Sequence, residues 1–328
     1  MAEAEARGPV IVIAEHMEAA TVRSLRARFP VHYDPELFDH PAQLHATLVS
    51  ARALIVRNRT RVDADLLGQA RRLEVIGRLG VGLDNIDLGA CRRRAIAVHR
   101  ASGLNARAVA EYVLAMLLIT LRNDYHRTAE LSMGRWPSPY HCGGREAAGK
   151  TLGLVGFGTV GQLTAGLARA IGCRVVACDP AHAPDSTLWA ESGVQPLSFH
   201  GLLTTADVVS LHLPPTPLTR HLFDHEAIAH MKQGAILINT AHGDIVDESA
   251  LASALRSGHL AGAAIDVFSR EPLPADSTLA GLPNVWLTPH IAGLSREANP
   301  RISAFIAEQV CRSLCRVTGN PAVCLESA

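Results

Sequence analysis

The 328-residue chain is poor in aromatic side chains, at 4%, and carries no net charge, with 31 basic against 31 acidic residues. A balanced chain has no global field to draw in nucleic acid or a membrane surface, so neither is expected as a partner. Its one basic cluster, Arg92 to Arg94, reads as a solvated helix end. CxxC pairs are missing, and the seven cysteines are scattered at 91, 142, 173, 178, 311, 315 and 324. That pattern speaks against a disulfide framework and against structural zinc or any other metal site. It suits a reducing compartment, here expected to be the cytoplasm. Long apolar runs are absent as well: 108–121 is too short and too interrupted to span a bilayer. The polar, acidic start "MAEAEARGPV" is not expected to be a signal peptide. No repeat of fixed period and no low-complexity tail occurs.

What the chain has is glycine, 26 residues, and a hydrophobic content of 48%. Apolar strands joined by tight glycine turns are the mark of a globular α/β protein, and this length predicts two domains. In the first hundred residues, β-like runs at 10–15, 53–57, 73–79 and 96–99 alternate with helix-like stretches. Such alternation implies βαβ units and a parallel sheet. A long helix over 106–123 follows, capped by Asn105 and apolar on more than one face, as suits a domain connector or a subunit interface. After a Gly/Pro-rich loop, a second alternation begins at Lys150. Its strands are expected at 151–155, 174–178, 208–213, 235–239, 263–267 and 285–288, and its helices at 160–171, 200–205, 224–231 and 247–257. A last helix closes the chain.

The strongest local signal is "TLGLVGFGTVGQLTAGLARAIGCRVVACD". An apolar strand runs into Gly156-Phe157-Gly158-Thr159-Val160-Gly161, and a helical pattern starts at once. The first glycine permits the tight turn, the second lets the backbone approach a pyrophosphate, and the third lets helix and strand pack closely. The phosphates would rest on the helix N-terminus. The next strand ends at Asp179, whose carboxylate suits the ribose hydroxyls and repels a 2′-phosphate, which favours NAD over NADP. A second glycine-rich stretch, "GRLGVGLDNID" at 77–87, lacks the third glycine and the run into a helix. It is either a nest of backbone N–H groups for a small anion or an ordinary strand-to-turn connection.

Ligands of open α/β sheets bind beyond the carboxyl ends of the strands. In the second half those ends carry His212, the run Asn239 to His242, Asp266 and His290, with Glu271 a few residues after Asp266. A histidine oriented by a carboxylate makes a competent general acid–base, so His290 with Glu271 is the candidate pair.

Taken together, "ALIVRNRTRVDADLL", "GRLGVGLDNIDL", "AVAEYVLAMLL", "LVGFGTVG", "ADVVSLHLPPTPLTRHL", "MKQGAILINTA", "VDESALASAL", "AAIDVF", "EPLP" and "LPNVWLTPHIAG" resemble the D-isomer-specific 2-hydroxyacid dehydrogenase family. The likeness runs from about 53 to 295. It is nearest in look to sulfolactate, phosphoglycerate and hydroxypyruvate dehydrogenases. It implies two Rossmann-like domains, with an NAD-binding domain (104–294, including helix 106–123) inserted into a flavodoxin-like substrate domain (1–103 plus 295–328). No regulatory C-terminal domain is expected. By the same likeness, substrate lies between the domains and the molecule is a homodimer joined through the long-helix region. His290 would be the acid–base, with Glu271 holding it. Thr216, Thr240, Asp266 and Gly293 would line the NAD site together with the glycine fingerprint. Gly80 and Val81 would offer backbone groups to the carboxylate of a small anionic 2-hydroxy or 2-keto acid. Arg57 and Arg59 would meet its far end, where two arginines suit a sulfonate or phosphate; otherwise they are solvent-facing.

One position departs from the resemblance. The family pattern Asn-x-x-Arg-Gly reads Asn239-Thr240-Ala241-His242-Gly243 here, followed by Asp244. Histidine is shorter than arginine, offers at most two donors and lacks a permanent charge. Three readings stay open. In the first, His242 donates one hydrogen bond in an active dehydrogenase and another arginine supplies charge. In the second, activity on ordinary 2-keto acids is weakened. In the third, the protein binds NAD(H) without turnover, as a sensor or interaction partner.

Overall fold

The computed structural model describes residues 8–122, 128–136 and 143–318. Cys142, Cys324, position 123 of the long helix, the centre of the Gly/Pro-rich loop and most of the polar start lie outside the described residues. The chain divides into two compact units. One is built from Met1–Asn105 with Leu294–Ala328, the other from Ala106–Gly293.

In the first unit β1 (Ile11–Ile13), β2 (Val31–Tyr33), β3 (Ala53–Val56), β4 (Val75–Arg78) and β5 (Ala97–Arg100) form one sheet in the order β2-β1-β3-β4-β5. Every pairing is parallel. Apart from Arg78 at the end of β4, the three central strands consist of apolar or small residues, because both faces are covered. Leu37, Leu48, Leu54 and Ile76 pack one face. On the other face Gly77 meets Ile306 and Val310 of the helix Ala298–Thr318 so closely that a Cβ would stand 2.6 Å from Ile306 Cγ2. Strand β2 has no counterpart in the sequence reading. It is three residues long and only partly buried at the sheet edge, so it shows neither a run nor an alternation.

The second unit carries β6 (Thr151–Val155), β7 (Arg174–Cys178), β8 (Gln195–Pro196), β9 (Val208–Leu211), β10 (Ala235–Asn239), β11 (Leu260–Ile265) and β12 (Val285–Leu287). Their order is β12-β11-β10-β9-β6-β7-β8, again all parallel. Phe223, Leu237 and Leu251 centre the core on one face, and Phe157, Val113, Leu117 and Ile236 on the other. Burial of each of these large side chains contributes about 2 kcal/mol. The long helix, Ala106–Arg122, buries Val109, Ala110, Val113, Leu117 and Leu121, a stripe at three- and four-residue spacing, and leaves Leu118 exposed on its other side. This is a two-domain α/β architecture with a Rossmann-like sheet, order 3-2-1-4-5-6 extended by one strand, and a parallel-sheet partner of flavodoxin-like order.

Candidate active site

Strand order reverses between β6 and β9, and there the glycine fingerprint sits. Gly156 takes φ +98°, and a Cβ on it would lie 2.4 Å from the His212 carbonyl at the end of β9. A Cβ on Gly161 would lie 2.5 Å from the Gly156 carbonyl, so the third glycine allows the helix Thr159–Ala170 to close on the turn. Gly158 is the N-cap of that helix and faces open space. Asp179, just past β7, accepts from the Phe157 amide at 2.7 Å and from the Ala181 amide at 2.9 Å, so its carboxylate is fixed beside the fingerprint. Two buried polar atoms at neighbouring strand ends, His212 Nε2 and Thr240 Oγ1, have no hydrogen-bond partner among the described residues. Burial pushes the His212 imidazole down to about 4, so it stays neutral. Thr216 belongs to an exposed turn closed by Thr219. An open helix N-terminus, a glycine approach, a ribose-side carboxylate and unpaired polar atoms form a set that fits a dinucleotide.

Beyond β11 and β12, on the same sheet, lies the pair His290 and Glu271. His290 Nδ1 is 2.8 Å from Glu271 Oε2. An ionised carboxylate only accepts, so Nδ1 carries the hydrogen and Nε2 is left to exchange a proton. Glu271 Oε1 accepts from the Phe268 amide at 3.1 Å. Burial pushes the Glu271 carboxyl up. The hydrogen bond and charge of His290, the Phe268 amide and the charge of His242 outweigh burial and hold it below the usual glutamate value.

His242 is thereby an electrostatic neighbour of the pair. It leaves β10 in extended conformation, and Asn239 clamps the turn: its Nδ2 donates to the His242 carbonyl at 2.8 Å, and its Oδ1 accepts from Ala241 at 3.0 Å. Gly243 lies against the backbone of Phe268 and Ser269, where a Cβ would stand 1.9 Å from the Phe268 carbonyl carbon. That close approach brings the His242 turn beside the segment carrying Glu271.

Asp266 is 1% exposed and accepts from Thr288 Oγ1 at 2.5 Å and from the amides of Ile291 and Ala292 at 2.9 and 2.8 Å. Burial raises its carboxyl despite these bonds. Gly293 ends this unit, directly after the Ala292 amide that Asp266 holds.

In the first unit the strand order reverses between β1 and β3, and the loop 57–60 occupies that point. Glu15, 3% exposed, accepts from the amides of Arg57, Arg59 and Thr60 at 2.7, 3.1 and 2.9 Å. Asn85 Nδ2 donates to the carbonyls of Arg57 and Thr60 at 3.2 and 2.7 Å. The two arginines that leave this clamp diverge. Burial lowers the Arg57 guanidinium, opposed by the charges of Glu15 and Glu18, and its Nη2 meets Asn299 Oδ1 at 3.5 Å. Arg59 is exposed, stacked 4.0 Å over Phe38 and 3.5 Å from Asp39. The Gly80 N–H turns back to the Arg78 carbonyl at 2.8 Å, and its own carbonyl takes the Ala101 amide at 2.8 Å. The amides of Val81 and Gly82 donate to no backbone carbonyl among the described residues.

Sequence reasoning missed several participants. Arg78, 7% exposed at the end of β4, lays its guanidinium where a Gly80 Cβ would be, and a buried cation ending an apolar strand was the available signal. Glu15 stood at a strand end too. Asn85, Tyr112 and Thr288 gave no distinguishing pattern.

Comparison with known proteins agrees with this geometry. The model of the D-isomer specific 2-hydroxyacid dehydrogenase, NAD binding domain, matches residues 114–292. An (S)-sulfolactate dehydrogenase from Chromohalobacter salexigens is 47% identical over 304 residues, covering 93% of this chain and 98% of that protein. A D-3-phosphoglycerate dehydrogenase from Mycobacterium leprae is 41% identical over 92% of this chain, which spans 56% of that relative's length. A solved structure, the TT0316 protein from Thermus thermophilus, superimposes with a TM-score of 0.85 at 38% identity, covering 93% of this chain and 96% of that one.

Fold and site therefore define an NAD-dependent oxidoreductase with a Rossmann-like cofactor domain and a parallel-sheet catalytic domain. The chain belongs to the D-isomer-specific 2-hydroxyacid dehydrogenase family, whose chemistry interconverts 2-hydroxy and 2-keto acids.

Proposed function

We propose that the substrate is a 2-keto or 2-hydroxy acid bearing a second anionic group, with sulfopyruvate and (S)-sulfolactate the favoured pair. The observation that carries this is the 57–60 loop. A buried carboxylate and an asparagine rigidify it at the switch point of its sheet, and it carries a half-buried arginine whose Nε has no partner among the described residues. The 47% likeness to a sulfolactate dehydrogenase supports the same reading. A guanidinium fork suits a sulfonate or phosphate, and lowering its burial cost by an anion is favourable.

In this reading unit Ala106–Gly293 binds the cofactor and the other unit binds substrate. The bound nicotinamide supplies or accepts the hydride. His290 Nε2 gives a proton to the keto oxygen during reduction and takes it back during oxidation. Glu271 keeps that ring in the reactive tautomer. His242 donates one hydrogen bond to the substrate, and Val81 with its neighbouring amides receives the carboxylate. Gly156 to Gly161, Asp179, Thr216, Thr240, Asp266 and Gly293 form the cofactor side. A homodimer is supported by the exposed Leu118, Leu131, Met133 and Trp136 near the end of the long helix.

Arg57→Met tests the substrate class. It is expected to lower kcat/KM for sulfopyruvate by about 10- to 100-fold, the loss of a charge-assisted hydrogen bond, and to change glyoxylate reduction by less than about threefold. Equal losses on both substrates would remove Arg57 from the specificity site.

A further inference from the structure

Two hydroxyl groups outside the acid–base pair form a chain that ends on the turn carrying it. Tyr112 Oη, on the helix Ala106–Arg122, is 2.5 Å from Thr288 Oγ1, and Thr288 Oγ1 is 2.5 Å from Asp266 Oδ1. The direction of this chain follows from valence. The carboxylate accepts only, so the single Thr288 hydroxyl hydrogen goes to Asp266, and the hydrogen between the two hydroxyls must come from Tyr112. Burial and the Asp266 charge push the tyrosine up to about 12, so the donor keeps its proton throughout the working range.

The turn at the far end is strained. His290 has φ +56°, a left-handed conformation that is unfavourable for a residue with a Cβ. Asp266 over-determines it. Its backbone carbonyl accepts from the His290 amide at 2.9 Å, Oδ1 accepts from Ile291 and Oδ2 from Ala292. The charged groups around the imidazole are Glu271 in hydrogen-bond contact, Asp266 beneath the turn and His242 beyond Glu271. Among the described residues, only Glu271 holds the ring itself. The left-handed backbone that aims the ring is held by Asp266, and the orientation of that carboxylate is held from the helix side by Thr288 and Tyr112.

We infer that Tyr112 is a positioning residue for this reaction: through Thr288 and Asp266 it keeps the His290 turn in its left-handed conformation. The inference rests on His290 being the acid–base. Removing the terminal hydroxyl weakens the whole chain, because hydrogen bonds in series polarise one another, and a small displacement of a proton-transfer group is costly in rate.

The test compares Tyr112→Phe, Thr288→Val, Thr288→Ser and His290→Ala in the full chain, with NADH and each of sulfopyruvate, hydroxypyruvate and glyoxylate. Tyr112→Phe is expected to lower kcat about 5- to 20-fold on every keto acid reduced, with KM for NADH and for keto acid changed less than about twofold. Thr288→Val should do the same, and Thr288→Ser, which keeps the hydroxyl, should restore most of the rate. Independently of turnover, the downfield NMR signal of the His290 Nδ1–H, hydrogen-bonded to Glu271, should shift or broaden in Tyr112→Phe and be retained in Thr288→Ser. Loss of folding in Thr288→Val would leave Tyr112→Phe, which only deletes one oxygen, to decide. A silent His290→Ala would overturn the acid–base reading on which the inference stands. A dead His290→Ala beside a Tyr112→Phe of wild-type kcat and unchanged Nδ1–H signal would overturn the inference alone.

Discussion

At position 242 the difference between arginine and histidine is one of reach, donor number and charge. The Asn239 clamp and the close fit of Gly243 fix the backbone there, so an exchange of the side chain need not move the turn. His242→Arg is expected to keep kcat/KM for 2-keto acids at least at the wild-type value and to raise it up to about tenfold, read by steady-state NADH oxidation. A large loss with NADH binding intact would mean that His242 has a role of its own. Glu271 provides a pH-dependent signature. Its folded-state value lies below the unfolded one, so ionisation favours the folded state. The resulting stability is present above the ordinary glutamate range, near 4.3, and is lost as pH falls through the depressed folded value. The thermal midpoint of wild type should exceed that of Glu271→Gln near neutrality, and the gap should close as the pH drops below about 4. An unchanged gap at low pH would contradict the assigned cause. Of these residues, His290 and Glu271 were legible in the chain because polar side chains at strand ends are exceptional there. Tyr112 was not, since a tyrosine on an apolar helix gives no clue to what its hydroxyl meets 176 residues further along.

Among the elements, those with a strong period or an unbroken apolar run came through with their ends nearly in place. Strand 151–155 and the long helix are such cases, because burial on both faces or on one stripe leaves a direct trace in sequence. The edge strands β2 and β8, three and two residues long, left none. The same holds for the short helix Thr187–Ser192, stopped by Gly193 at φ +63°. Turn geometry was only partly readable. Gly156 and Gly161 announced themselves through the fingerprint spacing, whereas the reason for Gly243, a backbone crossing against Phe268, exists only in three dimensions. Gly243→Ala forces a backbone overlap that no side-chain motion relieves. It should cost on the order of 2–4 kcal/mol in urea unfolding and lower turnover more than Gly166→Ala, at a helical position facing open space. Wild-type stability in Gly243→Ala would show that the two turns can separate without consequence.

Over the whole molecule, two parallel sheets each reverse strand order once, and each reversal carries a hydrogen-bonded loop: the glycine fingerprint with Asp179 in one unit, the clamped arginine loop in the other. The first was plain in the sequence because phosphate binding demands glycines at fixed spacing. The second was visible as two arginines without the buried Glu15 that organises them. Asp179 held beside the fingerprint predicts that NADH binds about 10- to 100-fold more tightly than NADPH, since a 2′-phosphate would meet a fixed negative charge. Fluorescence titration of both cofactors measures this, and equal affinities would contradict it. The central claim is that this chain reduces an anion-bearing 2-keto acid with NADH. The most direct measurement is kcat/KM for NADH-driven reduction of sulfopyruvate beside hydroxypyruvate, glyoxylate and pyruvate. The account predicts turnover with sulfopyruvate the best of the four, and it is contradicted if no 2-keto acid oxidises NADH above background.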